Sequence, residues 1–247
     1  MTQVHPKPDQ LDPTGYETLE IISRATAFNR WMYDTIRPFL SGEILEIGSG
    51  IGNISEFLIR DGYSIALSDY NPAYCHMLRK KYASTPNVSN IFTIDLQHPD
   101  FYTVYRALQQ KFDTIFLLNV IEHLADDQKA VEYCSFLLRP GGRLVMLAPA
   151  YPFLYSRLDK ELGHFRRYRK KDFSRLLTER RFRVVHRQYF NVLGMLGWFL
   201  FGRLGGEKQL TAGKFSLFNK LVPLARWLDQ LLLKKTGVSV VAAGEKQ

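Results

Sequence analysis

At 247 residues, 46% of them hydrophobic, the chain is long enough for one large core and too short for several. Its formal charge is +9 and the excess is local: between Ser156 and Arg187 stand twelve basic residues against four acidic ones, a local +8 that either meets an anionic partner or forms a solvated basic face. The two cysteines, Cys75 and Cys134, suggest neither a disulfide framework nor a paired metal motif, and the polar opening MTQVHPKPDQ lacks the apolar run of a secretory signal, so a cytoplasmic location is expected.

Apolar positions at helical spacing over 16–40, among them Leu19, Ile22, Phe28, Trp31 and Met32, predict a leading helical segment that stops near Pro38 and Gly42. An Ile/Leu run at 43–48 then enters a glycine turn, which reads as a buried strand, and Ile54, Phe57 and Leu58 resume helical spacing. Strand-like runs follow at 63–68, 88–94, 113–120 and 143–148, separated by helical stretches at 72–84, about 99–110 and 126–138. Strands alternating with helices imply a parallel sheet. The helix at 126–138 is the most legible, with Asp126 as cap and Pro140-Gly141-Gly142 as stop.

Two further strands are expected at 182–191 and 238–244, beyond a basic helix at about 170–181. Between them lies an insert made of the apolar run VLGMLGWFLF at 192–201, a Gly-rich break at 202–213 and the amphipathic stretch FSLFNKLVPLARWLDQLLLKK at 215–235. Ten uncharged residues are too few to span a bilayer, which takes roughly twenty. The insert reads as a lid over an apolar acceptor, a dimer face, or a membrane contact.

Glu46-Ile47-Gly48-Ser49-Gly50-Ile51-Gly52-Asn53 sets three glycines two apart where a strand becomes a helix, the place where doubly wound sheets bind ligands. The dinucleotide fingerprint is G-x-G-x-x-G, and here Asn53 holds the position its third glycine would need. Glu46 would repel a pyrophosphate but attract a ligand carrying an ammonium and a sulfonium, as S-adenosylmethionine does. Asp69, at the end of the second strand, can accept from both hydroxyls of a ribose. The plainer alternative is that both carboxylates cap helices or face solvent.

The motifs ILEIGSGIGN at 44–53, SDYNP at 68–72, TIDLQ at 93–97, FDTIFLLNVIEHL at 112–124 and LLRPGGRLVMLAP at 137–149 resemble those of class I S-adenosylmethionine-dependent methyltransferases, in the broad group that includes ubiquinone and menaquinone methylases. The resemblance runs from about Gly42 to Ala150, and more weakly through Asn191 and over the last strand. It implies a Rossmann-like α/β fold with a mostly parallel seven-stranded sheet, an antiparallel last strand and a helical insert before it. On that reading residues 1–42 form an N-terminal helical segment, and 43–247 the methyltransferase domain with its insert at about 192–236. It also implies that Glu46, Gly48, Gly50 and Gly52 line the methionine end, that Asp69 holds the ribose with Tyr70 beside it, that Asp95 and Leu96 meet the adenine, and that Asn119, Val120, Glu122 and His123 lie beneath the reacting methyl. The insert is longer than the family core needs, and 150–164 matches no acceptor pocket of a known substrate.

Methyl transfer from a sulfonium is an in-line displacement with an activated leaving group, so alignment and water exclusion suffice for a good nucleophile. A hydroxyl or acidic carbon also needs a base, and His123 is the best-placed one unless it only orients the loop. His164, a second catalytic candidate, stands with Arg166, Arg167 and Tyr168 in a segment that either grips an anionic acceptor or leads into the next helix. The expected acceptor is small or lipid-linked, with peripheral contact at the inner face of a membrane as a further expectation. Two other readings compete: methylation of RNA, motivated by the +8 segment but lacking an appended RNA-binding module or a stacking platform, and a non-catalytic membrane-associated or partner-binding protein that keeps the fold. No metal ligands are expected.

Overall fold

The computed structural model describes residues 13–200 and 211–247; the opening MTQVHPKPDQ and most of the Gly-rich break lie outside them. The helical run read at 16–40 divides in two, α1 (Pro13–Ser23) and α2 (Thr26–Ile36), because Ala25 leaves the helical region at ψ 62°. A single turn at Arg37–Phe39 then brings the chain to the first strand, with Pro38 inside it.

Seven strands follow among the described residues: β1 (Ile44–Ile47), β2 (Ile65–Asp69), β3 (Val88–Thr93), β4 (Phe112–Leu118), β5 (Leu138–Pro149), β6 (Phe182–Phe190) and β7 (Ser239–Lys246). Between them lie α3 (Ser55–Arg60), α4 (Pro72–Lys81), α5 (Phe101–Val104), α6 (Asp127–Leu137), α7 (Arg157–Glu161), α8 (Lys170–Glu179), α9 (Val192–Gly197) and α10 (Ala212–Leu231). The helix expected over 99–110 contracts to α5 and a short turn at Arg106–Leu108. Asp126 caps α6 as expected, its carboxylate accepting from the Lys129 amide at 2.9 Å.

The sheet runs β3-β2-β1-β4-β5-β7-β6, parallel from β3 to β5, with β7 antiparallel to both of its neighbours. β1 and β2 are buried throughout, as central parallel strands covered on both faces require. One face packs under α5, α6 and α8 through Phe101, Val131, Leu137, Phe173 and Leu177, the other under α2, α3 and α10 through Ile36, Leu58, Val222 and Ala225. The order reverses between β1 and β4, which opens a crevice at the carboxyl edge between those strands.

The residues around 192–236 are fastened rather than loose. Asp229 of α10, only 3% exposed, accepts from the amides of Asn191 and Val192 at 2.7 and 2.8 Å, and so ties α10 to the exit of β6. On its other side α10 meets α2 through Phe28 and Phe218, an edge-on ring pair with centroids 5.5 Å apart, and through the Arg226–Asp34 ion pair.

Candidate active site

The chain leaves β1 into the glycine turn, whose first two amides, of Gly48 and Ser49, both donate to the Ser68 carbonyl of β2 at 2.9 and 2.8 Å. This pulls the turn across the crevice and sets Gly48 at φ +77°, which glycine alone adopts without strain. A Cβ there would stand 2.4 Å from a methyl of Val120, so the turn and the segment after β4 touch at the one place where a side chain cannot fit. Leu19 of α1 packs over Gly50, and the Asn53 side-chain amide donates to the Leu19 carbonyl at 3.1 Å. The N-terminal helix thus roofs the glycine turn.

Two carboxylates stand at this turn. Glu46 is 4% exposed and accepts from the Ser55 hydroxyl; burial pushes its carboxyl up to about 7, with Ser55 and Ser49 opposing and Asp69 adding. Asp69 is 5% exposed and accepts from the amides of Gly50 and Asn71, both at 3.0 Å; burial raises it to about 6 against those hydrogen bonds. Each Asp69 oxygen keeps a lone pair for a ligand. Lys81 acts on Glu46 only as the weakest of its influences, its ammonium being held by Glu56 and the Ile51 carbonyl. Two buried acids without a cation in contact are costly, and a ligand with an ammonium and a sulfonium would relieve both. The residues fit S-adenosylmethionine.

The other expected cofactor residues fall around the same edge. Tyr70, 53% exposed, follows Asp69. The Ile94 amide donates to the Asp69 carbonyl at 3.0 Å, which brings Asp95 alongside; its carboxylate accepts from the Gln97 amide, and Leu96 is buried in the core. Asn119, at φ +54°, ends β4 with its amide on the Leu147 carbonyl, and Val120 leads into a single turn at Ile121–His123.

Across the crevice the loop after β5 folds back onto that turn, the Phe165 amide donating to the Glu122 carbonyl at 2.8 Å. The His123 and His164 rings meet edge to face, 4.7 Å apart. Burial, and then the neighbouring His164, lower the His123 imidazole to about 4, while burial pushes the Glu122 carboxyl up to about 8. Glu122 is fully buried, and neither of its oxygens meets a donor from another residue. The sequence reading brought His123, Glu122 and His164 to one end of the sheet, and the structure sets them side by side.

Asp159 is the residue that reading missed. Fully buried, it accepts from the Ser156 amide, pairs with His164 Nδ1 at 2.9 Å and receives Arg167 Nε at 2.7 Å. Burial alone would raise its carboxyl; the His164 hydrogen bond and the Arg167 charge outweigh it and hold it below the usual range. A signal was present in the sequence: Ser156-Arg157-Leu158-Asp159 has capping-box spacing, and the box forms. Arg167 also donates to the Ala150 carbonyl and lies 4.4 Å from the Trp198 ring centroid, with one terminal nitrogen unpartnered. Arg166 pairs with Asp127 at 2.9 Å, and the Tyr168 hydroxyl donates to Asp127, so these two neighbours strap the loop to α6.

The +8 segment is less bare in space than in sequence. Five of its twelve cations, Arg157, Arg166, Arg167, Arg180 and Arg183, have carboxylate partners, three of them supplied by Asp127, Glu132 and Glu245 from outside the segment.

Residues 45–144 match the family model of a methyltransferase domain. Over 107 residues the chain is 28% identical to a ubiquinone biosynthesis O-methyltransferase of Xylella fastidiosa, strain 9a5c, covering 43% of this chain and 42% of that protein. A namesake from Coxiella burnetii, strain RSA 331, is 28% identical over 101 residues, 41% of each chain. The chain therefore spans less than half the length of these relatives. Among solved structures, an S-adenosylmethionine-dependent methyltransferase from Archaeoglobus fulgidus superposes with a TM-score of 0.57 at 14% identity, over 88% of this chain and 94% of that one. Geranyl diphosphate C-methyltransferase from Streptomyces coelicolor A3(2) does so with 0.62 at 11% identity, over 97% and 87%. The domain match over 45–144, with a sheet in this order and its crevice at the carboxyl edge, supports a class I S-adenosylmethionine-dependent methyltransferase.

Proposed function

We propose that the chain transfers a methyl group from S-adenosylmethionine to a small or lipid-linked acceptor. The observation that carries the reading is the pair of buried carboxylates, Glu46 and Asp69, at a glycine turn with no cation in contact with them among the described residues. Bound there, the cofactor supplies an electrophilic methyl on a positively charged sulfur. Glu46 and the turn hold its methionine end, Asp69 its ribose, with Tyr70, Asp95 and Leu96 around the adenosine. Asn119, Val120 and Glu122 lie under the methyl, and α1 and the loop after β5 exclude water from opposite sides. His123 and His164 are the groups the acceptor meets, and the free nitrogen of Arg167 lies within the same wall.

Titration of the purified protein with S-adenosylmethionine and its demethylated product tests this. Micromolar binding is expected, and Asp69→Ala should weaken it by about 100-fold or more, since two charge-assisted hydrogen bonds at about 1.5–3 kcal/mol each are lost. No binding by the wild type, or equal binding by the variant, overturns the reading.

A lipid-linked acceptor is supported by α10. Opposite the face it buries, Leu217, Leu221, Leu224 and Leu231 recur at helical spacing and are exposed, with Trp227 beside them at 56%. Lys220, Lys234 and Lys235 accompany them, a combination suited to an anionic bilayer surface. Among the described residues no helix is long and apolar enough to cross a membrane. The protein is expected to sediment with phosphatidylglycerol vesicles, and Leu224→Glu combined with Leu231→Glu to abolish this while cofactor binding persists; sedimentation unaffected by the substitutions removes the membrane role. An RNA acceptor has weaker support, because five cations of the basic segment are already paired.

A further inference from the structure

We propose that Glu122, His123 and His164 form a binding site for one divalent transition-metal ion at the acceptor side of the crevice. Each offers one ligand atom, and the three atoms lie within 4.8 Å of one another. In a formed tetrahedral site with bonds of about 2.1 Å the separation is about 3.4 Å, so small side-chain rotations close the set.

Three independent features point to an ion rather than to chance proximity. Glu122 is fully buried with both oxygens unmet by any other residue, a carboxylate aimed at something it does not touch. One imidazole already has a nitrogen held: His164 Nδ1 by Asp159 at 2.9 Å. That fixes the His164 tautomer and leaves its Nε2 for a ligand bond, the outer-shell arrangement found around metal-bound histidines. The local charge also favours a cation. Asp159 and Arg167 cancel as a contact ion pair at 2.7 Å, so once an incoming ion displaces the Glu122 proton, the carboxylate has that ion as its counter-charge. Two imidazoles and one carboxylate suit zinc, cobalt, manganese or iron better than the all-oxygen shells of magnesium or calcium.

Three protein ligands leave a fourth position of a tetrahedral ion open. Val120, two residues before Glu122, packs on the glycine turn, so the proposed ligand set lies close to the region where the methyl would be delivered. An ion there orients an acceptor oxygen and lowers its pKa. For this purpose, though not for its geometry, the proposal rests on the methyltransferase reading. The two histidines then act as ligands and leave the acceptor proton to another group.

The test is titration of chelator-stripped protein with cobalt(II), followed by calorimetry and by the visible absorption that reports nitrogen ligation. One equivalent is expected to bind. His164→Ala and Glu122→Gln should each weaken binding by about 100-fold or more, and Asp159→Asn, acting through His164, by about 10- to 100-fold. A thermal melt establishes that each variant is folded, and His123→Ala serves where His164→Ala is not. Asp69→Ala should bind cobalt as the wild type does, so a failed cofactor site and a failed metal site give different results. Binding that is absent, or equal in the wild type and in folded His164→Ala or His123→Ala, overturns the proposal.

Discussion

Replacing Asp159 with alanine should lower the free energy of unfolding by about 3–5 kcal/mol, among the largest losses of any single substitution in this chain. The carboxylate is fully buried and serves four donors: the Ser156 amide and hydroxyl, His164 Nδ1 and Arg167 Nε. Without it the Arg167 guanidinium, whose side chain is also fully buried, keeps only the Ala150 carbonyl and the face of Trp198. The loss comes mainly from that stranded charge, not from the attraction removed. Adding Arg167→Met to Asp159→Ala should therefore recover most of the stability. Urea unfolding of the single and double variants measures this. A single-variant loss below about 1 kcal/mol would mean that water reaches the guanidinium, and that the ion pair matters little. Because the Asp159 carboxyl is held low in the folded state, its contribution is full above the ordinary carboxylate range and is lost below that range, as pH falls through the lowered folded value.

The second large effect is on cofactor affinity as a function of pH. Glu46 and Asp69 titrate at about 7 and about 6 in the folded protein, both raised by burial. The groups facing Glu46 are Ser49 of the turn, Ser55 of α3, Asp69 of β2 and Lys81 of α4, with the Tyr82 ring nearby; those facing Asp69 are the amides of Gly50, Tyr70 and Asn71. A cationic ligand binds the ionised forms, so affinity should rise by at least about tenfold between about pH 5.5 and 7.5. Unfolding of the free protein should show the opposite trend. An acid whose folded pKa exceeds its unfolded value destabilises the fold as pH climbs from the lower value to the higher, here from about 4.5 to 7 for Glu46. Saturating cofactor should flatten that decline. Affinity that is level across the range, with Glu46→Gln binding as the wild type does, would show that these carboxylates do not face the cation.

The elements that form the candidate cofactor half of the site are local in sequence, and their meeting was legible for that reason. A four-residue buried strand, a glycine turn and an acid at the next strand end all fall between Ile44 and Asp69, and parallel pairing in register brings them together. The acceptor half was legible in residue type but not in use. Arg166, Arg167 and Tyr168 read as donors for an anion, and two of them strap the loop to Asp127 while the third is buried against Asp159. A contact with Asp127 some forty positions earlier leaves no trace in spacing. Nor did periodicity reveal the break at Ala25, because both short helices keep the apolar stripe of one long helix. The meeting of Glu122, His123 and His164 depends on the loop after β5 turning back along the sheet edge, which only the tertiary fold determines.

The place of β7 has a consequence for how the chain is made. It is the seventh of the described strands in chain order, yet it occupies the sixth position in the sheet, hydrogen-bonded to β5 on one side and to β6 on the other. Until Ser239–Lys246 leave the ribosome, β6 has no partner, and a parallel five-stranded sheet ends in an open β5 edge with its backbone groups unpaired. β6 and β7 pair across the whole of the insert, a long loop closure that comes late and slows folding. A nascent chain halted before residue 239 should therefore expose a sticky edge and recruit chaperones, and completion of one short strand seals the sheet.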